Sequence, residues 1–283
     1  MRPLAAIVAL LAMQQPQFEV ASIKPSNNVG GRVGIQTLPG GRLNATSVTL
    51  RYLIQFAYRL QAFEVIGGPD WVDNDRFDIA AKGDAPDGDN QFSADQAGSP
   101  SRAQLMLRSL LADRFKLVVR NETREQSMYA LVAARSDGRL GSDLHRSTAD
   151  CVSDSAPGSQ TAVKPAPSDA KQSPCGIRLG LGTMAMGGAT MKQLASTLAG
   201  LLNRSVVDHT SLTGAFDATL HWTPGQETPG LATKAGFAPA GLVDQNGPSL
   251  FTALPEQLGL KLDSMKGPVD VLVVVSAQRP AAN

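Results

Sequence analysis

Asp208, His209 and Ser211 stand close together in SVVDHTSLTGAFDATLHW, and an acid, an imidazole and a hydroxyl are the parts of a hydrolytic site. Their closeness argues against that use. Nucleophile, base and orienting acid are gathered from separate elements in known triads, because neighbours in sequence struggle to line up on one reacting atom. A polar turn in which Asp208 and Ser211 bond local backbone groups accounts for the tripeptide, and no G-x-S-x-G elbow is present. SDAK, from Ser168 to Lys171, has the Ser-x-x-Lys form, yet no Ser-Asp-Asn or Lys-Thr-Gly accompanies it and its surroundings have linker composition. DWVDNDRFD offers Asp70, Asp73, Asp75 and Asp78 as oxygen ligands. A calcium loop of the EF-hand type needs acids at its first and third positions, a Gly at the sixth and a Glu at the twelfth, and this spacing departs from that. The acids therefore read as a solvated turn. His145, His209 and His221 are scattered, so neither a metal set nor a cofactor is expected. What remains is a contact surface: Tyr58, Trp71, Asp73 and Asp75 combine aromatic anchors with acids, the composition in which binding hot spots concentrate, although Trp71 reads first as a cover for the core edge.

The elements that must position these residues come in two copies. GIQTLPGGRLNATSVTLRYLIQFAYRL from Gly34 lies alongside GIRLGLGTMAMGGATMKQLASTLAGLL from Gly176, with Thr49 on Thr190, Leu53 on Leu194 and Leu60 on Leu201. Further on, Phe77-Asp78 falls on Phe216-Asp217, and Leu111, Phe115 and Leu117 fall on Leu254, Leu258 and Leu260. In the first copy Gly40-Gly41 marks a hairpin turn, and Thr49 is placed to cap a helix carrying Leu50, Leu53, Ile54, Ala57 and Leu60 at helical spacing. A strand FDIAAK, a second helix over Leu105–Arg114 and two strands within FKLVVRNETREQSMYALVAA, joined by a polar turn, complete it. The second copy repeats the order with a helix over Met191–Leu202, strands near Val206 and Phe216, a helix over Leu250–Gln257 and LGLKLDSMKGPVDVLVVVSA. The strands follow one another too closely for parallel crossovers, so the fold class expected is α+β: two tandem related modules, each with two helices packed on small mixed or antiparallel sheets. FEVASIKPS, from Phe18 to Ser26, reads as an added strand, while 83–101, 136–174 and 224–247 have loop or linker composition.

A chain of 283 residues with 42% hydrophobic content can bury a proper core, and its length suggests about two domains. A net charge of +1 with 18% charged residues provides no basic field, so nucleic acid is not an expected partner. At the N-terminus, Arg2 and the apolar run Leu4–Met13 fit a secretory signal over residues 1–14, with a buried first element as the alternative. No other stretch is long and apolar enough to span a bilayer. Cys151 and Cys175 agree with export if they pair across the linker, where the closed loop would add roughly 3 kcal/mol through unfolded-state entropy. Two unpaired thiols are the reading if the chain is not exported. The expected division is a first module over 18–136, a Pro/Ser-rich linker over 137–175 and a second module over 176–279.

FEVASIKPS, GGRLNATSVTLRYLIQFAYRLQAFEVIGGPDWVDNDRFDIAAK, LMLRSLLADRFKLVVRNETREQSMYALVAA, SVVDHTSLTGAFDATLHWTP and GPSLFTALPEQLGLKLDSMKGPVDVLVV together resemble an exported domain family of unknown function that is abundant in soil acidobacteria. The resemblance implies export and no particular activity. TMKQLASTLAGLLNRSVV and LFTALPEQLGLKLDSMKGPVDVLVV are also similar in pattern to the short N-terminal domain of secretins and TonB-dependent receptors, which implies a periplasmic interaction module. The function expected is a non-catalytic binding protein of the bacterial envelope, periplasmic or extracellular, whose partner is another envelope or extracellular protein or ligand. The rival is a hydrolase or lyase working in a cleft between the modules, with Asp78, Asp217 and His209 as proton carriers.

Overall fold

The computed structural model describes residues 16–27, 33–83, 100–135, 137–149, 151, 175–225, 227–228 and 247–281. The apolar segment expected to be a signal at 1–14, the SDAK segment and most of the two inserts and the linker lie outside the described residues. Among the described residues the fold is α+β, with three four-stranded sheets. The chain divides into two compact units: Met1–Leu60, Val65–Arg120 and Leu272–Asn283 form unit 1, and Gln61–Glu64 with Asn121–Val271 form unit 2.

In unit 1, β1 (Phe18–Pro25), β2 (Gly34–Leu38), β3 (Arg42–Thr49) and β5 (Arg76–Gly83) make an antiparallel sheet in the order β1-β5-β3-β2. Thr49 ends β3 in extended backbone and its hydroxyl accepts from the Tyr52 amide, which caps α1 (Leu50–Tyr58). Leu50, Leu53, Ile54 and Ala57 recur at helical spacing and are fully buried. The chain then forms β4 (Val65–Gly67), the short α2 (Trp71–Asn74) and β5, followed by α3 (Arg102–Arg114). A Ser101–Gln104 capping box starts α3. The core gathers Leu53, Ile54, Val72, Phe77, Leu107, Leu111 and Phe115.

Unit 2 repeats this order. β8 (Gly176–Gly180), β9 (Thr183–Ala189) and β11 (Phe216–His221) pair as β2, β3 and β5 do, and with β7 (Leu144–Arg146) the sheet order is β7-β11-β9-β8. The outer place held by β1 in unit 1 belongs here to β7, a strand inside the stretch that reads as linker. Buried Leu144 sits opposite Ala218 as buried Ile23 sits opposite Ile79. Thr190 and Gln193 form a capping box on α4 (Met191–Leu202), which leads to β10 (Val206–Asp208). A short helix α5 (Leu250–Ala253) continues as a wider turn over Leu254–Leu258.

The long terminal strands differ from expectation. FKLVVRNETREQSMYALVAA does not fold back on itself: β6 runs unbroken from Val118 to Ala133, and its counterpart β12 runs from Leu260 to Ser276. The polar middle of β6 is exposed along both alternating faces, so it has the composition of a turn while its backbone stays extended. β6 and β12 are neighbours in the third sheet. In unit 2 the Ala134 amide donates to Gly259 at 2.8 Å, and in unit 1 the Gln278 amide donates to Phe115 at 2.7 Å. β10 lies parallel to Tyr129–Leu131 of β6, and β4 lies parallel to Leu272–Val274 of β12. Each unit's short strand thus pairs with the long strand that ends the other sequence copy.

Candidate functional site

The aromatic and acidic residues singled out by sequence come from α1, α2 and the α2 C-cap just before β5 in unit 1. Asp73 forms an ion pair with Arg51, whose guanidinium also donates to the carbonyls of Val65 at 2.7 Å and Gly67 at 2.9 Å. Arg51 therefore ties α1 to β4 and to α2. Asp75 accepts from Arg279 at 2.6 Å, and the same guanidinium lies over the Trp71 ring, 5.2 Å from its centre. Trp71 also meets Phe77 edge-on at 6.3 Å, and Phe77 in turn meets Phe115 at 5.2 Å. Tyr58 is apart from this cluster, under the Arg108 guanidinium at 4.4 Å, while Arg108 donates to the Ala57 carbonyl near the end of α1. Burial pushes the Tyr58 phenol above its ordinary pKa, and Arg108 partly opposes the shift.

Trp71, Asp73 and Asp75 are thus brought together, but around arginines that sequence reasoning missed. Their chemistry is that of a guanidinium, carboxylate and indole patch, half exposed and internally paired. Arg279 gave no signal because it lies far along the chain from Asp75. Arg51 is one residue into the helix, at the position whose side chain reaches the turn that follows.

The candidate proton carriers lie at two equivalent β-bulges and one turn. In unit 1 the pairing of β3 with β5 shifts between Ala45 and Val48, Ser47 takes a φ of 51°, and its amide donates to Asp78 at 2.7 Å. In unit 2 the shift falls between Phe216 and Ala218, Gly188 has a φ of 55°, and its amide donates to Asp217 at 2.8 Å. Each Asp holds the extra residue of a bulge. Asp208 accepts from both the amide and the hydroxyl of Thr210, at 2.9 and 2.7 Å, making the local turn the sequence suggests. His209 is exposed, with its amide on the Leu131 carbonyl, and Ser211 has a φ of 60°. Among the described residues there is no group of three or more His, Cys, Asp or Glu placed to hold a metal ion. Cys151 and Cys175 form a disulfide.

A groove of about 210 Å³ opens in unit 2, lined by Gln61, Ile177, Leu179, Ser196, Thr197 and Gly200. It lies between α4 and the outermost strand of its sheet, β8. The sequence carried a signal for it: at the positions of Ser196, Thr197 and Gly200, α1 has Gln55, Phe56 and Arg59. Three large side chains of one copy are small in the other.

No curated protein and no solved structure matches the chain. A family model does, over residues 51–277, which takes in α1 through all but the last residues of the described chain. With that span matched, the chain belongs to the family described as protein of unknown function DUF3738.

Proposed function

We propose that this protein is an exported, non-catalytic binding protein of the bacterial envelope, which engages another envelope or extracellular protein through its open sheet edges. The observation that carries this reading is the deployment of its acids. Asp78 and Asp217 hold bulge amides, Asp208 holds Thr210, and Asp73 and Asp75 are paired with arginines. Each therefore has a structural role in its own loop or strand. Open backbone edges are what a small α+β unit offers to a partner in their place, since an unpaired strand edge recruits another strand by main-chain hydrogen bonding. Among the described residues, β1 and β2 bound one sheet and β7 and β8 another, and Val20 in β1 is an exposed apolar side chain on such an edge. The disulfide supports export, because such bonds persist in oxidising compartments. The apolar run at the N-terminus supports it too. The pattern likeness to secretin and TonB-receptor N-terminal domains belongs to the same reading.

The test is saturable capture. The full chain, immobilised with its disulfide formed, is expected to retain a partner from envelope extract that excess free protein displaces. Turnover of a sugar, ester or peptide library that disappears in His209→Ala would overturn the reading in favour of catalysis.

A further inference from the structure

We propose that the Trp71 ring and the Asp75 carboxylate form a recognition site for an arginine presented by another polypeptide, and that the chain's own Arg279 occupies it as a displaceable stand-in. The inference rests on the binding-protein reading and gives it a second surface and a ligand class. Both walls of the site are fixed in advance, which lowers the cost of binding. The Asp75 amide donates to the Trp71 carbonyl at 2.9 Å, which sets the carboxylate and the indole on α2 and its C-cap. The indole is partly buried against the core of unit 1 and meets Phe77 edge-on, so its ring is held in place. A carboxylate beside an aromatic face suits a planar guanidinium, which pairs through its N–H groups and stacks through its plane. Arg279 shows that fit: its Nε donates to Asp75 at 2.6 Å, and its guanidinium carbon lies 5.2 Å from the centre of the Trp71 ring.

The two arginines of the patch are held differently. Arg51 is 17% exposed and also donates to the Val65 and Gly67 carbonyls, so its pair with Asp73 is part of how α1, β4 and α2 are joined. Arg279 is 62% exposed and lies in the coil after Ser276, where β12 ends, next to Gln278, whose amide donates to Phe115. An exposed ion pair and an exposed contact with a ring are each weak, so a competing guanidinium can replace the Arg279 side chain while the backbone anchor at Gln278 stays. The repeated fold does not require these two walls. In unit 2 the stretch that joins β10 to β11, residues 209–215, reads HTSLTGA and contains no Trp, Tyr, Phe, Asp or Glu, with Leu212 packed on the core there. The indole and the acid are therefore additions to the common plan, made where a cation is bound.

The test is a nuclear magnetic resonance titration of the nitrogen-15-labelled full chain, with its disulfide formed, by the peptide acetyl-Gly-Gln-Arg-Pro-Gly-amide, which carries the neighbours of Arg279. The Trp71 indole N–H is the reporter and the buried Trp222 indole the reference. In Arg279→Ala the Trp71 signal is expected to shift saturably, with an affinity at least about threefold tighter than in the unaltered chain, where the residue in cis competes. The same peptide with neutral citrulline in place of arginine should bind at least about tenfold more weakly, and so should the arginine peptide when Asp75→Asn is added to Arg279→Ala. Thermal melts check the fold of each variant, and the citrulline comparison needs no variant at position 75. No saturable shift in Arg279→Ala, equal affinity in the unaltered chain, or equal binding of the citrulline peptide overturns the proposal. Self-association of the unaltered chain that disappears in Arg279→Ala also overturns it, by making a second copy the occupant. If envelope extract yields a partner that Asp75→Asn captures as well as the unaltered chain does, the site fails while the binding function stands. If the peptide titrates as expected and no partner is retained, the site stands and the envelope-partner reading fails.

Discussion

Arg51 holds two carbonyls and a carboxylate with a side chain only 17% exposed, whereas Asp73 is 48% exposed and has water as an alternative partner. Removing the two partners should therefore have unequal effects. Arg51→Ala leaves the carbonyls of Val65 and Gly67 short of a charged donor and is expected to cost about 2–3 kcal/mol. Asp73→Ala is expected to cost less than about 1 kcal/mol, because a solvent-screened ion pair contributes little. Urea unfolding of both variants, read from midpoints at unchanged slope, measures the difference. Glu64 supplies a pH dependence. Burial raises its pKa above the ordinary carboxylate value, the Gln61 amide opposes that, and Asp270 nearby raises it again. A raised carboxyl pKa means the folded state holds its proton after the unfolded chain has lost it. Stability from this group is thus present at low pH and declines as pH rises from the ordinary carboxylate range through the folded value. Glu64→Gln should remove that decline, seen as a flatter plot of melting temperature against pH over the same interval; an unchanged slope would assign the dependence elsewhere.

The same bulge at Ser47 and at Gly188 separates what an element demands from what its neighbours demand. Ser47 adopts the left-handed conformation in unit 1, so the bulge itself tolerates a side chain. In unit 2 a Cβ on Gly188 would collide with the Cys151 sulfur. Gly188→Ser is accordingly expected to destabilise by about 1–3 kcal/mol through overpacking, and to cost less once the disulfide is reduced and Cys151 can move. Ser47→Gly should have a small effect, since the amide that Asp78 accepts from is retained. Thermal melts with and without reductant compare the four states. At this scale the helices were legible, because caps and spacing are local: Thr49 caps α1 where the pattern puts it, and Thr190, the residue aligned with it, caps α4. The strands β6, β7 and β12 were not. A strand exposed on both faces, such as the middle of β6, has no alternation to read, and β7 is too short to show any.

For the molecule as a whole, copies along the chain and units in space do not coincide. Leu272 and Val274 belong to the core of unit 1 although they end the second copy, and Leu131, from the end of the first copy, belongs to the core of unit 2. Residues 16–136 alone lack the strand that pairs with β4, and are expected to show no cooperative unfolding by circular dichroism. Mixing with residues 137–283 should restore it; a cooperative melt of the first fragment by itself would show that β4 does not need β12. Sequence alone determined the α+β class, the repeated order of elements, the capped helices and the turn at Asp208, because each follows from local periodicity and hydrogen-bonding chemistry within a few residues. Tertiary structure decided which strands pair, that Asp73 and Asp75 are held by Arg51 and Arg279, and that the α4 face leaves a groove where α1 has Phe56. Those outcomes depend on residues distant in the chain competing for the same backbone groups and the same space, and no local pattern encodes which of them wins.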